Sequence, residues 1–162
     1  MDAIDLQIVR SLQEDGKAAL AKLGKVVGLS APAVLERVRK LEQAGVIRGY
    51  TALVDARAMG LDVTSFIGVS LQAVSGVTRF EQDVLDMPEV LESHHVTGSY
   101  TLLLKVRTKN TATLENLIAK IRAAEGVTRT ETLVVLSTGK ESVVLPIPDE
   151  EPKTKPRRLR RV

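Results

Sequence analysis

Gly28-Leu29-Ser30-Ala31-Pro32-Ala33-Val34-Leu35-Glu36-Arg37-Val38-Arg39-Lys40-Leu41-Glu42 is the stretch on which the reading of the whole chain turns. It reads as a turn followed by a short amphipathic helix. Ser30 is placed to cap the helix, and Pro32 falls in its first turn, where a missing N–H costs little. Val34, Val38 and Leu41 share one face by their i, i+4, i+7 spacing. Glu36, Arg39, Lys40 and Gln43 share the opposite face, flanked by Ala33 and Arg37. Such a helix, small at its N-terminal end and basic on its outer side, suits the DNA major groove.

Working outward, two further helices are expected before it. Asp2 to Asp15 carries Ile4, Ile8 and Leu12 as a stripe, with Asp2 as cap and Gly16 as stop. Ala18 to Val27 carries Leu20, Leu23, Gly24 and Val27 at helical spacing. Gly24 weakens that helix but lets a neighbour approach closely. Two short helices joined by Gly28-Leu29-Ser30 make a helix-turn-helix braced by the first helix. Beyond Gly45, Val46 to Val54 is rich in β-branched residues and is expected to form a strand or small wing. Arg48 within it is either a phosphate contact or a solvated strand residue.

Residues 55–63 read as a linker, after which the pattern changes. Strands are expected around Phe66–Ala73, Val90–Val96, Tyr100–Arg107 and Thr128–Ser137. A helix bearing Val77, Phe80 and Val84 is stopped by Pro88, and another, capped by Asn110, bears Leu114, Leu117, Ile118 and Ile121. The order is β-α-β-β-α-β, a ferredoxin-like arrangement. Val143–Ile147 is a candidate edge strand. Phe66, Leu103 and one face of Leu133–Leu136 are left over on the sheet face away from the helices, which predicts a dimer formed through the sheet. The expected class is therefore α+β. Its domains are a winged helix-turn-helix over 1–54, the linker 55–63, a ferredoxin-like domain over 64–148, and a disordered basic tail over 149–162.

Charge follows this division. The tail holds six Lys/Arg and three Asp/Glu, and the other 148 residues balance at seventeen of each, so the net +3 lies in the tail. Residues 17–50 hold seven basic groups against two acidic. This footprint fits an anionic partner, double-stranded DNA. The tail either touches phosphates non-specifically or keeps the protein soluble, and its acids favour the second reading. There is no cysteine, which excludes disulfides and thiolate metal sites and fits a reducing cytoplasm. No signal peptide and no membrane-length apolar run is present. His94 and His95, the only histidines, are adjacent on a strand and point to opposite faces, so no metal site is expected.

Taken together these motifs resemble the Lrp/AsnC (feast/famine) family of transcription regulators. The match lies in Val27–Ser30, Leu35–Glu42, Gly45–Ala52 and the turn Thr97-Gly98-Ser99-Tyr100, and it covers residues 1–147. The resemblance implies DNA binding by the first domain, with Ser30, Ala33, Glu36, Arg37, Arg39, Lys40 and Arg48 as candidate contacts. It implies dimers that associate further into tetramers or octamers. It also implies a small-molecule effector, typically an amino acid, bound between dimers at Gly98, Ser99, Tyr100 and Thr101, with Thr130 and Thr132 as further candidates. No other cofactor is implied. This chain departs from the family pattern where Thr101 replaces an acidic residue and where Ala18 replaces a Ser or Thr cap. Two other readings share the plan: an architectural DNA-binding protein without effector control, and a sirohaem-decarboxylase-like enzyme. No phosphate loop, paired catalytic carboxylates or Ser/His/Asp motif supports an enzyme.

Overall fold

A computed structural model describes residues 1–73 and 76–148. The chain forms two compact units, one of Met1–Leu53 together with the segment that begins at Lys140, the other of Val54–Gly139. The expected basic tail over 149–162 lies outside the described residues.

In the first unit, α1 (Ala3–Glu14) opens with a capping box: the Asp5 amide donates to Asp2 Oδ1 at 2.8 Å and the Asp2 amide to Asp5 Oδ2 at 3.0 Å. Both orphan donors are thus satisfied where the helix dipole also favours acids. The second helix, α2 (Leu20–Val27), starts two residues later than expected. Ala19 sits at its cap with no side-chain oxygen to hold a free N–H, so the first turn is not helical. The third, α3 (Ala31–Gln43), begins where expected, with Ser30 Oγ accepting from the Ala33 amide at 3.4 Å. Ile8, Leu23, Val34, Val38 and Leu41 form the core among the three helices.

Two expectations fail here for physical reasons. Val46–Val54 is neither strand nor wing. The Val46 and Ile47 amides both turn back to the Leu41 carbonyl, at 2.9 and 3.2 Å, and Tyr50, Leu53 and Val54 stay exposed. β-propensity needs a neighbouring strand to express itself, and none pairs with this segment among the described residues. Val143–Ile147 is likewise not an edge strand. Pro146 and Pro148 remove two ladder donors, and the segment belongs to the first unit, not to the sheet.

The second unit contains β1 (Val63–Leu71), α4 (Val77–Leu85), β2 (Val90–His95), β3 (Leu102–Thr108), α5 (Thr111–Ala123) and β4 (Val127–Val134). The four strands pair antiparallel in the order β2-β3-β1-β4, the expected βαββαβ fold. The third strand starts at Leu102 rather than Tyr100, which leaves Tyr100 and Thr101 in the loop before it. Asn110 caps α5 through the Thr113 amide at 2.9 Å. Ile67 and Val69 on β1 and Leu102, Leu104 and Val106 on β3 are fully buried with Phe80, Leu117 and Ile121 from the helices. The alternate residues form the other face. Register places Phe66 beside Lys105 and Leu133, and Gly68 beside Leu103 and Glu131. Phe66 and Leu103 are half-buried and Leu133 is 55% exposed, so this face carries uncovered apolar surface. Among the described residues no helix is long and apolar enough to cross a membrane.

Candidate nucleic-acid interface and effector loop

The helix α3 separates its two sides as its periodicity predicts. Val34, Val38 and Leu41 are buried, while Ser30, Glu36, Arg39 and Lys40 are exposed and Ala33 is half-buried. Lys40 Nζ meets Glu36 Oε1 at 2.8 Å with both side chains 70% exposed. That hydrogen bond holds the Glu36 carboxyl below its ordinary range. An exposed pair of this kind contributes little to stability and can be exchanged for a phosphate. Arg48 is exposed in the segment after α3.

Arg37, expected as a DNA contact, is engaged within the protein. Its Nη1 lies 2.7 Å from Asp2 Oδ2 and 2.7 Å from Asp5 Oδ1, so the guanidinium bridges both acids of the α1 cap. Its position on the flank of α3, rather than the outer face, brings it against the N-terminus of α1. The Asp5 amide and the Arg37 guanidinium hold Asp2 below its ordinary 3.8. A carboxylate depressed in this way stabilises the fold above its unfolded pKa, and that contribution is lost as pH falls through the folded value. Arg37→Ala is therefore expected to cost about 1–2 kcal/mol near neutral pH, after allowance for partial exposure. It should also flatten the acid side of the stability profile. Denaturant midpoints followed from neutral pH to below pH 3.8 check both effects.

The loop between β2 and β3 is built by backbone contacts to β1. The Thr101 amide donates to the Val69 carbonyl at 2.9 Å, and Thr101 Oγ1 accepts from the Leu71 amide at 3.1 Å. Thr101 thus uses its hydroxyl to anchor the loop. Ser70 Oγ donates to the Ser99 carbonyl at 3.4 Å, and Gly98 holds φ at +111°, a conformation side chains disfavour. The Tyr100 ring lies directly over Gly68, on the sheet face opposite the helices. Its hydroxyl donates to Glu131, which raises the phenol pKa, and Arg129 Nη2 in turn donates to Glu131 Oε2 at 2.8 Å.

Thr130 and Thr132 do not join Tyr100. They pair with Val69 and Ile67, on the helix side of β4, and Arg122 Nε donates to Thr130 Oγ1 at 2.8 Å. The period of two that puts Arg129 and Glu131 beside Tyr100 puts the two threonines on the other face. Gly68 and Glu131 were the residues missed, because neither contact is local in sequence. The histidines also face apart, His94 opposite Leu103 and His95 opposite Leu102, with His94 Nε2 at 3.1 Å from Glu92 Oε2. Among the described residues no cluster could hold a metal ion.

A helix-turn-helix unit with exposed cations on α3, followed by a βαββαβ unit with a braced loop, defines a two-domain DNA-binding regulator. Comparison with known proteins agrees. Residues 1–42 match the AsnC-type helix-turn-helix domain, and residues 64–145 match the Lrp/AsnC ligand binding domain. The chain is 39% identical over 147 residues to the HTH-type transcriptional regulator FL11 of Pyrococcus horikoshii, covering 91% of this chain and 97% of that one. It is 38% identical to the leucine-responsive regulatory protein of Rhizobium meliloti, covering 88% and 93%. Among solved structures, AsnC of E. coli superposes with a TM-score of 0.83 at 31% identity, covering 90% of this chain and 99% of that one. A transcriptional regulator of Neisseria meningitidis in complex with L-Met superposes at 0.85 with 30% identity, covering 90% and 96%. The chain belongs to the Lrp/AsnC family of transcriptional regulators.

Proposed function

We propose that this regulator binds operator DNA through the outer side of α3, with Arg39 and Lys40 as its main cationic contacts. Ser30, Ala33, Glu36 and Arg48 complete the contact set. The observation that carries this reading is the placement of Arg39 and Lys40 in solvent on a helix whose opposite side is the unit's core. Phosphate contacts supply most of the affinity and base contacts select the site. The working form is at least a homodimer, closed over the sheet face of Phe66, Leu103 and Leu133, and it acts in the cytoplasm as a regulator without catalytic activity.

A small molecule, an amino acid, binds at the loop Gly98–Thr101 and acts by favouring one assembly over another. The complex of the meningococcal relative with L-Met supports the ligand class. Selection from a random DNA pool tests the first part: recurrent half-sites about one helical turn apart are expected, and enrichment of no motif would overturn it in favour of architectural binding. A thermal-shift screen over the amino acids tests the second, since a ligand bound only by the folded state raises its melting temperature. No shift with any of them would overturn the amino-acid assignment.

A further inference from the structure

The helix α1 holds two other parts of its unit, one toward each end. Near its C-terminal end, Gln13 closes a pair of bonds on Leu145: the Leu145 amide donates to Gln13 Oε1 at 2.8 Å, and Gln13 Nε2 donates to the Leu145 carbonyl at 3.0 Å. Arg10 donates through Nη2 to the Ile147 and Pro148 carbonyls at 3.1 and 3.0 Å. Those bonds fasten an exposed segment and involve no residue of α3. At its N-terminal end α1 takes hold of α3 itself, through Arg37.

The four carboxylate oxygens there are divided without overlap. Asp2 Oδ1 accepts from the Asp5 amide and Asp5 Oδ2 from the Asp2 amide, which completes the cap. Asp2 Oδ2 and Asp5 Oδ1 both accept from Arg37 Nη1, each at 2.7 Å. One nitrogen is thus held from two directions by short, charge-assisted bonds. Such a tie does what the core stripe does not. Val34, Val38 and Leu41 bury one side of α3, but apolar burial is non-directional and sets the depth of a helix more firmly than its rotation. Arg37 stands about 60° around the helix from Val34 and about 100° from Val38, so its tie acts on the flank and opposes rolling. With side chains a helix is about 10–12 Å across, so a roll of about 10° carries an outer atom by about 1 Å. A hydrogen bond to a base edge weakens steeply over such a shift, whereas attraction to a phosphate falls off slowly with distance.

We infer that Arg37, held by Asp2 and Asp5, is a positioning residue for base readout: it fixes the roll of α3, and with it the discrimination between one DNA sequence and another. The inference rests on the DNA-binding reading above. The test compares the parent with Arg37→Ala and with the double substitution Asp2→Asn and Asp5→Asn. Asparagine keeps one oxygen for each cap bond and sets an NH2 group against the guanidinium. The cap therefore stays, and Arg37 keeps its charge but is released. Each chain is titrated by fluorescence anisotropy with the duplex selected from the random pool and with an arbitrary one, at several salt concentrations. The temperature is one at which circular dichroism shows every chain fully folded. Both variants are expected to lose about 3- to 5-fold in the ratio of selected to arbitrary affinity, with the salt slope on the arbitrary duplex unchanged. A ratio equal to the parent's in both folded variants would reduce Arg37 to a brace of the fold and overturn the inference. A slope lowered by about 0.9 in Arg37→Ala, with the asparagine pair binding as well as the parent or better, would make Arg37 a direct phosphate contact and overturn it equally. A parent chain that enriches no motif would instead remove the sequence-specific reading on which the inference rests.

Discussion

Gly24→Ala is expected to destabilise the helix-turn-helix unit by about 1–3 kcal/mol, although alanine is the better helix former. The gain in propensity is about 1 kcal/mol. Against it, a Cβ at position 24 would run into the Leu29 carbonyl, in the turn between α2 and α3. That carbonyl is backbone and cannot rotate aside as a side chain would. The turn is also closed by the Leu29 amide donating to the Gly24 carbonyl at 2.9 Å. Overpacking against a fixed atom costs about 1–3 kcal/mol, and the strained hydrogen bond about another 1. Valine should be worse, since it adds volume and loses propensity. Urea midpoints of the two variants decide the matter. A midpoint raised by alanine would show that the turn relaxes freely and that α2 and α3 are not held at this spacing.

The double substitution Arg39→Ala and Lys40→Ala should weaken operator binding about 100-fold while leaving the fold intact. Both side chains stand in solvent, and the one bond lost among the described residues, Lys40 to Glu36, is between groups 70% exposed. Each DNA contact of this type contributes about 1–3 kcal/mol when it reads a base, or about one unit of salt slope when it meets a phosphate. The split between the two comes from measuring affinity for operator and for arbitrary duplex. A loss confined to the operator marks base contacts, and an equal loss on both marks phosphates. Unchanged affinity on both would remove α3 from the interface. Arg37→Ala is the informative contrast: it removes a cation three residues from Lys40, yet its main cost should appear in stability, because its charge is spent on Asp2 and Asp5.

That contrast also marks how far the sequence could be read. The α3 cap at Ser30, the buried stripe Val34-Val38-Leu41 and the cap at Asn110 depend on residues within seven positions of one another, and they appear where expected. The order of strands and helices in the second unit follows from hydrophobic period alone. The pairing of Arg37 with Asp2 and Asp5 was not legible because those partners lie more than thirty residues earlier, and a helical wheel does not show which flank meets α1. Thr130 and Thr132 were grouped with the loop by resemblance, yet strand alternation alone puts them on the other face from Arg129 and Glu131. Val46–Val54 had the propensity of a strand but no neighbour to pair with. In Val143–Ile147, Pro146 was the local sign against a ladder, while the hold of Gln13 and Arg10 on its backbone had no sequence signal.

The seat of the Tyr100 ring on Gly68 ties two distant codons together. Any side chain at position 68 would occupy the ring's place, so a lineage that keeps the aromatic must keep the glycine. A lineage that loses the aromatic frees position 68 to drift and leaves the Glu131 carboxylate without its phenol. Descendants of this chain should therefore replace Gly68 only where the aromatic at position 100 has been lost.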